Sequence, residues 1–185
     1  MKILVTGNRG YIGMIMTRVL MAAGHDVIGL DSDLYRECNF GAGIATVPTF
    51  MKDIRDVQMT DLEGFDAVVH LAALSNDPVG NLDPACTYAI NESATVRLGQ
   101  LAKEAGVQRF LFSSSCSVYG EAARDEYLTE TTPCQPITPY GSSKARAEEG
   151  LSRLSSSHFC CTYLRNATAY GVSPRLRADI VLNNL

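Results

Sequence analysis

Lys2-Ile3-Leu4-Val5-Thr6-Gly7-Asn8-Arg9-Gly10-Tyr11-Ile12-Gly13 opens the chain with a short apolar run that breaks at once into three glycines, each three residues from the next. The apolar residues that follow, Ile12, Ile15, Met16, Val19 and Leu20, recur at helical spacing. Strand, tight turn and helix therefore succeed one another within the first two dozen residues. Fifteen glycines in 185 residues would produce roughly 0.1 G-x-x-G-x-x-G patterns by chance. It is the strand before the turn and the helix after it that give the pattern meaning.

Working outward, the same alternation continues. Helix is expected over 12–23, strand over 27–30, a weaker strand over 45–50 and a clear one over 67–71. A long helix is expected over 85–105, strand over 109–113, helix over 140–155 and strand over 159–165. A last helix begins at 179. Apolar strands separated by helices require crossover connections, hence a parallel sheet with helices on both faces. The chain contains no internal repeat and no low-complexity tract. Its long irregular stretch, 120–139, is rich in Thr and Pro and reads equally as a functional loop or a surface excursion.

Composition narrows the partners. Apolar residues are 46% of the chain and charged residues 19%, as in globular proteins, and the net charge of −4 lacks the basic excess that nucleic-acid binding needs. No run of eighteen apolar residues is present, so no membrane span is expected. The six cysteines, Cys38, Cys86, Cys116, Cys134, Cys160 and Cys161, form no C-x-x-C pair. That argues against a zinc site or disulfide framework and for a reducing, cytoplasmic setting.

A glycine turn opening a helix lets the backbone approach a pyrophosphate, which the free N–H groups of the helix start then attract. Asp31 ends the second strand, where a carboxylate accepts hydrogen bonds from ribose hydroxyls and repels a 2′-phosphate. This favours NAD over NADP. Tyr140 and Lys144 are four apart on one helix, so they share a face, and an ammonium beside a phenol is expected to lower the phenol's pKa. Ser113-Ser114-Ser115 comes after the fifth strand, at the carboxyl end where side chains of open parallel sheets enter the ligand crevice.

Together these elements resemble the extended short-chain dehydrogenase/reductases, the NAD-dependent sugar epimerase/dehydratase family, with the UDP-glucose 4-epimerase-like group as the nearest pattern. The resemblance runs along the whole chain. It implies a Rossmann-type doubly wound α/β fold, with residues 1–178 as the NAD-binding domain and 179–185 as the start of a substrate-binding region. Gly7, Gly10, Tyr11, Ile12, Gly13 and Asp31 resemble the family's cofactor turn, and Asp53-Ile54 its adenine-contacting pair. Leu71-Ala72-Ala73 is similar to the segment under the pyrophosphate and nicotinamide ribose. Asn91, Ser113 and Ala167 complete the implied cofactor set.

By the same resemblance Ser115, Tyr140 and Lys144 form the catalytic triad, Tyr140 and Lys144 also touching the cofactor. Tyr140 takes a proton from a sugar hydroxyl at C4 as hydride leaves for the nicotinamide. Ser75, Ser115, Ser117, Thr168 and Asn183 are the implied contacts to a nucleotide-sugar substrate. The 4,6-dehydratases carry an Asp-Glu pair where this chain has Cys116 and Ser117, so 4-epimerisation is the expected reaction. Another nucleotide-sugar oxidoreductase or dehydratase, or a non-catalytic NAD-binding module, stands as the alternative. Thr168 replaces the family's usual asparagine, and Ser75-Asn76-Asp77-Pro78 departs from the epimerase pattern. Members continue past this length, so NAD binding without efficient turnover is expected of the 185 residues alone. A homodimer through the helices at 85–105 and 140–155 is also implied.

Overall fold

The computed structural model describes residues 1–40, 47–121, 127–175, 177, 179, 180 and 183. Six strands are present: β1 (Lys2–Thr6), β2 (Asp26–Asp31), β3 (Thr49–Met51), β4 (Ala67–His70), β5 (Arg109–Ser115) and β6 (Cys160–Asn166). All pair in parallel, in the order β3-β2-β1-β4-β5-β6. The order reverses between β1 and β4, which opens a crevice beyond their carboxyl ends. The doubly wound sheet expected from the alternation is therefore the observed one.

Side chains alternate across the sheet and build two cores. Leu4, Leu30, Val68, Phe110 and Phe112 face one side, where α4 (Thr95–Glu104) and α5 (Pro139–Ser152) supply Leu98, Ala102, Ala147 and Leu151. Ile3, Val5, Val27, Ala67 and Val69 face the other, under Met16 and Leu20 of α1 (Tyr11–Ala22). The central strands are buried on both faces, but β6 at the sheet edge exposes Cys160, Thr162 and Asn166. Apolarity throughout thus holds for the middle of the sheet and fails at its rim.

Several boundaries differ from expectation. The buried positions of α1 are Gly13, Met14 and Thr17, while Ile15 and Val19 of the expected apolar stripe are exposed. Close packing of Gly13 on the glycine turn rotates the helix so that Gly13, Met14 and Thr17 face inward. The third strand begins at Thr49; residues 45 and 46 lie outside the described residues. The long helix is three pieces: α3 (Pro84–Tyr88), a π-helical turn over Ala89–Ala94, and α4. A short α2 (Asp77–Leu82) precedes it, unexpected although Asn76 and Pro78 are start signals. Asn76 accepts from the Val79 N–H and sits at φ 77°. Of the helix expected from 179, only Asp179, Ile180 and Asn183 are described.

Phe110 is fully buried and packs on the rings of Phe159 at 6.1 Å and His70 at 5.8 Å. Phe110→Ala is expected to cost about 3–5 kcal/mol, read as a lower urea midpoint with an unchanged slope. A loss below about 1 kcal/mol would mean that the site collapses freely around the deletion.

Candidate active site

Backbone hydrogen bonds close the glycine turn. The Gly7 N–H donates to Leu30 C=O at 2.8 Å, Gly10 N–H to Gly7 C=O at 3.0 Å and Met14 N–H to Gly10 C=O at 3.0 Å. Gly7 has φ +72°, and a Cβ there would lie 2.7 Å from the Ala72 nitrogen. A Cβ at Gly13 would lie 2.0 Å from the Gly7 carbonyl oxygen. No side chain caps α1 at Gly10, so the first-turn N–H groups, including those near Tyr11 and Ile12, are left for an anion. The cradle fits a pyrophosphate.

Asp31 accepts from the Arg9 N–H at 2.9 Å with one oxygen and from the Asp33 N–H at 2.7 Å with the other. Each oxygen keeps a lone pair for a ribose hydroxyl. Asp53 caps the short turn Ile54–Asp56 and pairs with Arg55 at 2.9 Å, whose hydrogen bonds hold the carboxyl below its usual range. The Ile54 side chain is buried in the core. At this pair, adenine would meet Asp53 or backbone rather than the Ile54 side chain.

Leu71, Ala72 and Ala73 leave β4 beside β1, the Leu71 N–H donating to Thr6 C=O at 3.0 Å. Beneath them His70 is 1% exposed, its Nδ1 2.6 Å from Thr6 Oγ1 and its Nε2 2.8 Å from Thr95 Oγ1. Burial, with Lys144 nearby, pushes its pKa down to about 3. This neutral ring ties β1, β4 and α4 together. Asn91 is fully buried in the π-helical turn. It accepts from the Leu74 N–H and donates to the Leu74 C=O, both at 2.9 Å, and donates to Ser143 Oγ at 3.3 Å. Both amide hydrogens are used, so Asn91 acts on the crevice by holding the backbone that lines it.

Lys144 and Ser115 are buried and Tyr140 half-buried, and the fold brings the three together. Thr138 caps α5, accepting from the Gly141 N–H at 3.1 Å, so Tyr140 lies in the first turn. Ser115 and Tyr140 are placed so that a hydrogen bond between their hydroxyls would ease ionisation of the phenol. Lys144 Nζ donates to Ser113 C=O at 2.8 Å and lies 4.7 Å from the Phe112 ring centroid and 5.9 Å from that of Tyr140. The expected lowering of the phenol by the lysine is not the outcome. Burial raises the Tyr140 pKa above its ordinary value, and the opposing influences are the Ser115 bond and Arg177. Lys144 itself is pushed down to about 7 by burial, against the pull of Glu148.

The remaining expected contacts lie around the same crevice. Ser113 Oγ accepts from Asn166 Nδ2 at 3.2 Å, and the Ser117 N–H donates to Ser115 Oγ at 3.2 Å. Ser75 Oγ accepts from Arg177 at 3.2 Å. Asn183 meets the Tyr11 hydroxyl at 3.1 Å over the glycine turn. Ala167 and Thr168 are exposed past β6. Sequence reasoning missed Arg177, which also pairs with Asp179 at 2.6 Å, and Arg175, which donates to Arg9 C=O at 2.7 Å and to Asp33 at 3.1 Å. Their only signal was an arginine-rich stretch at 175–177. Among the described residues no group of three or more His, Cys, Asp or Glu could hold a metal ion, and no helix is long and apolar enough to cross a membrane.

Comparison with known proteins agrees with this geometry. The family described as NAD dependent epimerase/dehydratase matches residues 3–183. UDP-glucose 4-epimerase of Streptomyces lividans is 31% identical over 163 residues, covering 85% of this chain and 48% of that protein. The chain thus spans about half the length of the curated relatives it matches. Among solved structures, TunA, an NAD-dependent NDP-hexosamine 5,6-dehydratase of tunicamycin biosynthesis, superposes with TM-score 0.86 at 27% identity, covering all of this chain and 59% of that one. MoeE5, solved with UDP-glucuronic acid and NAD, gives TM-score 0.85 at 28% identity over all of this chain and 60% of that one.

A lysine depressed to about 7 binds fewer protons when folded than when unfolded, where 10.5 is ordinary. Stability therefore rises from about pH 7 to about pH 10.5, by at most roughly 1.4 kcal/mol per pH unit from this group. Lys144→Met should flatten that slope in urea unfolding across the window. Equal slopes in both proteins would show that Lys144 is charged when buried.

Proposed function

The chain belongs to the NAD dependent epimerase/dehydratase family, and from that premise we propose that it forms the cofactor-binding and catalytic part of a nucleotide-sugar 4-epimerase-type enzyme. Residues 1–178 are the NAD-binding domain in this reading, and 179–185 begin the part that holds the substrate. The observation that carries it is the convergence of Ser115, Tyr140 and Lys144 at the carboxyl end of β5, in a sheet whose β1 leads into an uncapped helix start.

Bound NAD would supply the hydride acceptor. Gly7, Gly10 and Gly13 would admit its pyrophosphate, Asp31 its ribose hydroxyls, and Lys144 the second ribose. Ser115 would hold the reacting sugar oxygen while Tyr140 accepts the hydroxyl proton. Tyr140 would also give the proton back when the sugar carbon is re-formed with inverted configuration. The Ser115 bond and Arg177 are the features that ease ionisation of a phenol that burial resists. Ser75, Ser117, Thr168 and Asn183 would contact the nucleotide sugar. In the family's dimer, the outer faces of α4 and α5 would meet a second copy.

The likeness to TunA makes elimination of water the second reading. Cys116 and Ser117 favour inversion over it, because neither supplies a carboxylic acid beside Ser115.

Calorimetry should show NAD binding at least about tenfold tighter than NADP, because Asp31 repels a 2′-phosphate. Equal affinities would remove Asp31 from cofactor selection. With saturating NAD and a panel of UDP-, dTDP- and GDP-sugars, Tyr140→Phe should slow formation of reduced cofactor by about a hundredfold or more, with NAD affinity little changed. Reduction at the parent rate would refute the role given to Tyr140.

A further inference from the structure

Glu148 takes no part in the reaction outlined above, yet it is a buried carboxylate, 6% exposed, one helical turn beyond Lys144 on α5. One of its oxygens accepts from Ser114 Oγ at 2.5 Å and from Arg165 Nε at 3.1 Å. The other accepts from Arg165 Nη2 at 2.7 Å. Arg165 comes from β6, and its Nη1 reaches on to the Tyr119 hydroxyl at 2.9 Å and the Glu130 C=O at 3.2 Å. Two strands, β5 and β6, therefore converge on one carboxylate of α5, and Arg165 extends the contact to Tyr119 and Glu130. We infer that Glu148 is a positioning residue for catalysis, setting the separation between α5, which carries Tyr140 and Lys144, and the end of β5, which carries their partners.

The argument turns on Ser114. Its side chain is two residues beyond Phe112 and so lies on the sheet face covered by α5. Its neighbour on one side, Ser113, offers the carbonyl that receives Lys144 Nζ; its neighbour on the other, Ser115, carries the hydroxyl placed to ease ionisation of Tyr140. Clipping Ser114 to the helix fixes both contacts at once, with no freedom for one to lengthen alone. A lone carboxylate could not stay charged in this setting, and the two-point contact with Arg165 compensates its desolvation. That pairing holds Arg165 firmly protonated.

The clip is also charged. The titratable groups around Lys144 are Tyr140 and Glu148 on its own helix and neutral His70 on β4, while Arg165 of β6 reaches the far side of Glu148. The Glu148 carboxylate is the anion that opposes deprotonation of Lys144. A brace that served folding alone would need the hydrogen bonds and not the charge, and this difference can be measured.

The inference rests on Ser115, Tyr140 and Lys144 being the catalytic set, but its test needs no turnover. The chain has four lysines, Lys2, Lys52, Lys103 and Lys144, so ¹³Cε-lysine NMR resolves the titration of Lys144, assigned by loss of its signal in Lys144→Met. Glu148→Gln keeps an oxygen for Ser114 and removes the charge. Its expected effects are a fall in the Lys144 midpoint of about one pH unit and an NAD affinity about tenfold weaker, with Glu148→Asp restoring the midpoint. A parent-like midpoint and affinity in Glu148→Gln, with only the melting temperature lowered, would overturn the inference. Should Glu148→Gln fail to fold, Ser114→Ala removes the clip and keeps the ion pair. It should weaken NAD with the Lys144 midpoint unmoved, and parent-like affinity would equally overturn the proposal. Failure of the catalytic assignment would appear separately, as turnover unaffected by Tyr140→Phe.

Discussion

Backbone packed directly on backbone, with no side chain between, is the contact on which the crevice depends. At Gly7 the end of β1 lies against the Leu71–Ala72 peptide leaving β4, and at Gly13 the first turn of α1 lies against the Gly7 carbonyl. A methyl group at Gly7 would push apart the two strands between which the sheet order reverses, and one at Gly13 would push α1 off the turn. Because these contacts are so short, the helix begins without a side-chain cap and keeps its N–H groups available. The anion cradle is thus a by-product of close packing, and the rotation of α1 that buries Gly13, Met14 and Thr17 follows from the same approach.

The second organising feature is polar and buried. The crevice floor is pinned by side chains that spend their hydrogen bonds on backbone and on one another: Thr6, His70 and Thr95 across three elements, Asn91 on both sides of Leu74, and Glu148 between Ser114 and Arg165. In a low-dielectric interior such groups are costly when unpaired and rigid when satisfied. They hold the functional side chains in place, and they set protonation too. His70 stays neutral, Lys144 is brought near 7 and Tyr140 is held back from ionising. Proton traffic at the crevice is therefore governed largely by burial, with neighbouring charges as the correction.

Much of this was legible in advance. The turn at Gly7–Gly13, the apolar strands and the helices carrying Tyr140 and Lys144 follow from local patterns that depend on residues a few positions apart. Boundaries were less legible. The π-helical turn at Ala89–Ala94 interrupts what periodicity presents as one helix, because Asn91 is drawn to Leu74 and Ser143 rather than to its own helical register. The edge position of β6, and the exposure of Ile15 and Val19, are decided by which neighbours are present, and a strand or helix taken alone carries no record of that.

The sequence by itself determined the alternation of strands and helices, the parallel sheet, the phosphate turn and the residue types at Ser115, Tyr140 and Lys144, since each is written in local pattern along the chain. Only the tertiary structure decided that Tyr140 is hindered rather than helped by its surroundings, that Asn91 and Ile54 face inward, that Glu148 and Arg165 pair beside Ser114, and that Arg177 reaches Ser75. The physical reason is that desolvation and charge coupling act through space. Ser114 and Glu148 are 34 residues apart and Ser75 and Arg177 are 102, and no local pattern reports that folding places them within a hydrogen bond of each other.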